Sequence, residues 1–284
     1  MKNYGKTAIL LAALGGLFVV LGGALGGQGG LYIGLVLGLV MVGGSYWFSD
    51  KLAIASARAV QVDRSQAPDY FTIVEDLSRR AGVPMPRLYI APSDQPNAFA
   101  TGRGPKHAAV CVNQGLLQLM SWDEVRGVLA HEMMHIKNRD ILIGSIAATI
   151  AGAITMLANM AQWAAIFGGA RGDDDEGGGG MIGMLAMAIL APFAAMLIQM
   201  AISRSREYLA DDGGARVSGK PWALASALEK LQAASRAIPM NANPSTAHIF
   251  TVSPLSGRSF ASLFSTHPPI EERIARLRSM QPRM

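Results

Sequence analysis

Charge is scarce in this chain. Asp, Glu, Lys and Arg make up only 16% of it and half of its residues are hydrophobic, whereas soluble domains carry about a quarter charged residues. That balance excludes an ordinary soluble globule and points to a bilayer. The net charge of +5 is modest, and the basic residues are scattered beside apolar stretches instead of forming one patch, so nucleic acid is not an expected partner. Cysteine is almost missing. Cys111 alone cannot close an internal disulfide, so the chain does not depend on an oxidising compartment, and the residue reads as strand filler. Ionisable residues cluster at the ends of the apolar runs and not within them, which weighs against a transporter.

What is present begins with long apolar runs. Thr7–Leu25 and Leu31–Phe48 are each long enough to cross a bilayer, and Gly26-Gly-Gln-Gly-Gly30 joins them. They read as a Gly-rich helical hairpin whose small residues permit close approach. Lys2 and Lys6 precede it and Lys51, Arg58 and Arg64 follow it, so both flanks belong on the cytoplasmic side. A cleaved signal peptide over residues 1–25 is the rival reading. Ile141–Gly169 and Met181–Ile202 form a second apolar pair around the acidic, glycine-rich segment Arg171–Gly180, again with basic flanks. A buried helical hairpin in a globular core is the alternative there. The expected layout is a transmembrane hairpin at 1–50, the first part of a cytoplasmic catalytic domain at 51–140, a second transmembrane pair at 141–202, and the second part of the catalytic domain at 203–284. The fold class expected is a mainly α membrane protein with four spans, a small β-sheet and a zincin-like domain.

Ser121–Ile141 carries the chemistry. Ser121 and Glu124 form a capping-box pattern, with Asp123 and Glu124 at the positive end of the helix dipole. On the helix that follows, His131-Glu132-Met133-Met134-His135 puts two imidazoles one turn apart on one face, within reach of one zinc ion. Glu132 lies about 100° round the helix, positioned for a metal-bound water and not for the metal. A catalytic zinc needs a third protein ligand. A metzincin would have Gly at 138 and His at 141, where this chain has Asn138 and Ile141. Asp140, Glu207, Asp211, Asp212, His248 and His267 remain. Glu207 in Ser203-Arg-Ser-Arg-Glu-Tyr-Leu-Ala-Asp211 is the best of them, because Asp211 falls one turn later on the same helix face and can support a ligand histidine.

HEMMH, a downstream SRSREYLAD, PNAFATG upstream and STHPPIEERI near the C-terminus together resemble the HtpX family of bacterial membrane zinc endopeptidases, relatives of the CAAX prenyl protease. The resemblance spans essentially the whole chain. It implies one zinc held by His131, His135 and Glu207, with Glu132 as general base, in a multi-pass protein of the inner membrane whose site faces the cytoplasm. It implies damaged or unfolded membrane polypeptides as substrates. It also puts Asn97, Ala98 and Phe99 at the cleft, where they are expected to offer an edge to an extended substrate. His267, or an arginine such as Arg204, is a candidate donor to the oxyanion. A metal-stabilised scaffold without turnover is the alternative, and Glu132 argues against it, since a structural site is closed by four ligands and has no use for a free carboxylate.

The remaining elements follow from periodicity. Asp69–Ala81 reads as an amphipathic helix capped by Gly82. Arg87–Ala91 and His107–Val112 read as strands, with Asn97–Thr101 as a further short one. Lys220–Ala237 reads as a helix with Trp222, Leu228 and Leu231 available for packing, and Pro268–Met280 as a helix with Ile270, Ile274 and Leu277 inward. Ile238–Thr266 reads as a long connection that covers the cleft.

Overall fold

The computed structural model describes residues 2–143, 204–237 and 268–280. Its first element, α1, runs from Lys2 to Ser56, 55 residues. A straight helix of that length would extend about 80 Å, but this one doubles back at Gly27, which adopts φ 57. A Cβ on Gly22 would lie 2.2 Å from the Gly30 oxygen, and one on Gly34 2.2 Å from the Phe18 oxygen. The two arms therefore pack backbone to backbone, as the glycine spacing anticipates. Among the described residues one segment, Gly27–Phe48, is long and apolar enough to cross a bilayer, and Leu11–Val20 is a shorter apolar helix. Of the two spans expected within the described residues, the second meets that criterion. The pair expected within 141–202 lies outside the described residues except for Ile141–Ile143.

After α1 comes a small mixed sheet laid against helices. Its strands are β1 (Val60–Gln61), β2 (Arg87–Ala91), β3 (Ala98–Gly102) and β4 (Ala108–Asn113), in the order β1-β2-β4-β3. The β2–β4 pair is parallel and the other two pairs are antiparallel. The strand expected at His107–Val112 starts one residue later, because Pro105–His107 forms a 3-10 turn. Alternation then gives the sheet two faces. Leu88, Ala98, Val110 and Val112 join the main core, while Phe99, Cys111 and Ala91 meet Ala53, Ile54 and Ala57 at the end of α1. Cys111 is buried strand filler, its thiol pushed up to about 12 by that burial.

The helices on the main face are α2 (Pro68–Ala81), α4 (Trp122–Asn138), α5 (Arg204–Ser218), α6 (Pro221–Ala237) and α7 (Ile270–Ser279); α3 (Gln114–Leu119) is a short lead into α4. Tyr70, Val74 and Leu77 on α2 are fully buried, and the Tyr70 hydroxyl donates to the Val110 carbonyl at 3.1 Å. Gly82 caps α2 in the left-handed conformation, as expected. On α6, Leu228 and Leu231 are buried as expected, but Trp222 stays half exposed. Its ring lies at the exposed start of α6, with the Lys220 ammonium 5.9 Å from its centroid.

Candidate metal centre

The capping box that starts α4 is complete. Ser121 accepts from the Glu124 backbone, and the Glu124 side chain accepts from the Ser121 backbone. Glu124 also accepts from Ser226 at 2.6 Å and Lys230 at 2.7 Å, which ties the start of α4 to α6. Against the opposing effect of burial, these bonds hold its carboxyl down to about 2. Where α4 crosses α5 the contact is closer still. A Cβ on Gly214 would lie 2.9 Å from the His131 nitrogen, so only glycine allows the two backbones this approach.

That crossing brings Glu207 to the histidines. One ligand atom from each of His131, His135 and Glu207 lies within 4.8 Å of the others. The Nε2 atoms of the two rings are 3.1 Å apart, and each lies 3.6 Å from a Glu207 oxygen. Two nitrogens on a tetrahedral zinc, with bonds of about 2.05 Å, would be about 3.3 Å apart, so the donor set fits such an ion. The backs of both rings carry carboxylates. His131 Nδ1 lies 2.8 Å from Asp211 Oδ1, without the alignment of a hydrogen bond, and His135 Nδ1 lies 3.3 Å from Asp140 Oδ2. Rings backed by carboxylates in this way present their other nitrogen to a metal.

Asp140 reaches His135 because α4 ends at Asn138, short of the expected Ile141, and Arg139 turns left-handed with φ 61. Asp140, a candidate ligand by sequence, stands behind the His135 ring instead. Asp212 pairs outward with Arg276 at 3.3 Å and is not part of the group. Arg204 is the first residue of α5, while its side chain, His248 and His267 lie outside the described residues.

The sequence reading missed Arg273. It is 1% exposed and grips Asp211 through two bonds of 2.8 and 2.7 Å, with a third nitrogen 3.9 Å from Glu207. A signal existed, since Arg273 falls on the same stripe of α7 as Ile270, Ile274 and Leu277. Burial opposes both charges, yet Arg273 and His131 draw Asp211 down to about 2. Burial likewise favours a neutral His131, but Asp211 and Glu207 outweigh it and raise that ring to about 10.

Glu132 is 6% exposed and takes no place among the three converging donors. Burial raises its carboxyl above the usual range, the two imidazoles working against that. Its Oε2 accepts the backbone N–H of Ala100 at 3.0 Å, so the carboxylate stands against β3, one of the two edge strands of the sheet. Asn97 and Ala98 lie buried at the start of that strand. The Phe99 side chain turns the other way, 6% exposed against α1. The strand alternation that points Ala98 and Ala100 toward α4 sends the Phe99 ring to the opposite face.

Two imidazoles and a carboxylate converging from two helices, with a second carboxylate beside them that is not one of the converging donors, are the working parts of a metallopeptidase. The chain matches the model of Peptidase family M48 over residues 64–281 and belongs to that family. It is 60% identical over 282 residues to a protease HtpX homolog of Syntrophobacter fumaroxidans, covering 99% of this chain and 100% of the relative. A protease HtpX homolog of Desulforapulum autotrophicum is 59% identical over 278 residues, 98% of this chain and 90% of the relative. Among solved structures, Ste24p of S. mikatae aligns with a TM-score of 0.52 at 20% identity, over 97% of this chain and 65% of that longer one. At that identity the likeness is one of fold. The chain is thus a metalloprotease of the M48 family, similar to HtpX proteases.

Proposed function

We propose that the chain is a membrane-bound zinc endopeptidase working at the cytoplasmic face, with the ion held by His131, His135 and Glu207. The observation that carries this is the convergence of those three donors, from opposite sides of segment 141–202, beside a carboxylate that is not one of them. Zinc bound there supplies a Lewis acid for the scissile carbonyl and lowers the pKa of a water. Glu132 accepts the attacking water's proton and passes it to the leaving amine. Asp211 and Asp140 keep the two rings turned toward the ion, and Arg273 fixes Asp211. An extended polypeptide adds along β3, where Asn97, Ala98 and Phe99 act through their main chain. His267 and Arg204 are the candidates for steadying the oxyanion; unchanged turnover in His267→Ala would remove the first.

Segments 1–50 and 141–202 each cross the inner membrane twice, with residues 51–140 and 203–284 forming the catalytic domain between and after them. A site set this close to the bilayer suits unfolded or damaged membrane polypeptides, which can thread to a strand edge as folded proteins cannot. The basic flanks support this topology. A cysteine introduced beside Asp174 should react with an impermeant reagent from the outer side, and protection there would overturn the second pair.

The central experiment is Glu132→Gln. Casein cleavage and self-cleavage should fall by about 10²–10⁴-fold, while metal analysis still finds one zinc per chain. Retained cleavage would remove Glu132 as the general base, whereas a wild-type chain that binds zinc and cleaves neither substrate would make a scaffold without turnover the better account.

A further inference from the structure

We infer that the turn between β3 and β4, together with the end of α1 against it, binds anionic phospholipid headgroups and so holds the β3 edge at the membrane surface. This rests on the membrane placement proposed above. The segment able to span a bilayer ends at Phe48, and Trp47 and Phe48 there are 57% and 51% exposed. Aromatic rings at that point of a span suit the interface. Each carries a cation: the Lys51 ammonium lies 5.4 Å from the Phe48 centroid, and the Arg103 guanidinium 4.6 Å from that of Trp47. Lys51 follows the span in sequence, but Arg103 comes from the catalytic domain, one residue past the end of β3. Lys106 and His107, both exposed, lie in the same turn.

The balance of charge is one-sided. Asp50 is the sole carboxylate between Gly43 and Arg58, it is ion-paired with Arg87, and the turn from Gly102 to Ala108 has none. A guanidinium stacked on an indole keeps its N–H edge outward, the geometry that takes a phosphate through two bonds. Lys51 over the adjacent Phe48 ring and Lys106 three residues on in the same turn add point charges. The ligand that fits two cations over an aromatic pair at the end of a span, with a third in the adjoining turn, is the phosphate of an anionic lipid, at about a fivefold gain for each cation near the surface. The gain falls on β3 because Gly102 and Arg103 are consecutive, so a headgroup on the turn restrains the strand proposed to receive substrate.

The test uses the full chain in nanodiscs of phosphatidylcholine alone or mixed with phosphatidylglycerol, followed by amide hydrogen exchange of residues 103–107. Exchange should slow in the anionic discs by about fivefold for each cation engaged. The slowing should disappear in Arg103→Ala combined with Lys106→Ala, and shrink in Lys106→Ala alone and in Arg103→Lys, which keeps the charge but not the two-bond edge. Equal exchange in both discs, or the same slowing when soluble glycerol phosphate or an acidic peptide is added to neutral discs, would overturn the proposal. A chain retained by neither disc would overturn the membrane placement as well, whereas a chain retained equally by both with unchanged exchange sinks the lipid site alone.

Discussion

At the crossing of α4 on α5 the backbones nearly touch, and the side chains around it are buried ions. Gly214 leaves no room for a Cβ against His131, and a continuous run of charge passes from His131 through Asp211 to Arg273. At the junction of the sheet with the end of α1 there is a small apolar patch around Phe99, and two partly exposed pairs lie nearby, Asp50 with Arg87 and Trp47 with Arg103. The first region holds its three donors within 4.8 Å of one another, and His131, Glu207, Asp211 and Arg273 are all buried. The second is held at its edge by contacts that water can replace at modest cost. The contrast separates a part that must be rigid for coordination from a part that can follow the membrane.

The contrast is broken most severely by Asp211→Ala. It leaves Arg273 buried without its bidentate partner and His131 without its backing carboxylate. Thermal unfolding should report a loss of about 3–5 kcal/mol, and zinc affinity should fall about 10–100-fold. Arg273→Met added to Asp211→Ala should recover part of the stability and none of the affinity, because the residues act as one unit. If Asp211→Ala melts like wild type, the buried run of charge contributes nothing.

Gly214→Ala comes next. The added methyl meets backbone, which cannot rotate away, so the cost should be about 1–3 kcal/mol, with weaker zinc binding as His131 is displaced. Glu124→Gln tests the tie between α4 and α6 and should cost about 1 kcal/mol at neutral pH. Its pH dependence has a definite sign. The native carboxyl sits at about 2 against an ordinary 4.5, so its contribution is complete above about 4.5 and is lost as pH falls from there toward 2. The gap between wild type and variant in denaturant melts should close over that window. Asp50→Asn, in the slack region, should change stability by under about 1 kcal/mol and leave zinc content untouched. A large loss there would mean that the junction is as rigid as the crossing.

Much of this was legible in the sequence wherever a short-range rule applied. The capping box at Ser121, the single-turn spacing of His131 and His135, the Gly82 cap and the inward faces of α2 and α7 are each fixed by residues within a turn or two of each other. Helical and strand periods act locally, and no distant contact was needed to read them. Glu207 was reachable as a candidate because Asp211 follows it on the same face, and the resemblance then favoured it over five others. Arg273 went unread because an arginine on an apolar stripe has meaning only when its partner is known.

By itself, then, the sequence determined the metal-binding pair, the hydrophobic imbalance that calls for a membrane, and the identity of most elements. Only the tertiary structure decided which acid joins the histidines, that Asp140 and Asp211 stand behind rings, that β3 is an edge strand and that the Phe99 ring is spent on packing against α1. The reason is physical. Each of those outcomes depends on which faces of separate elements come together, and close approach at Gly214 and the pairing of buried charge select that arrangement through contacts between residues far apart in the chain.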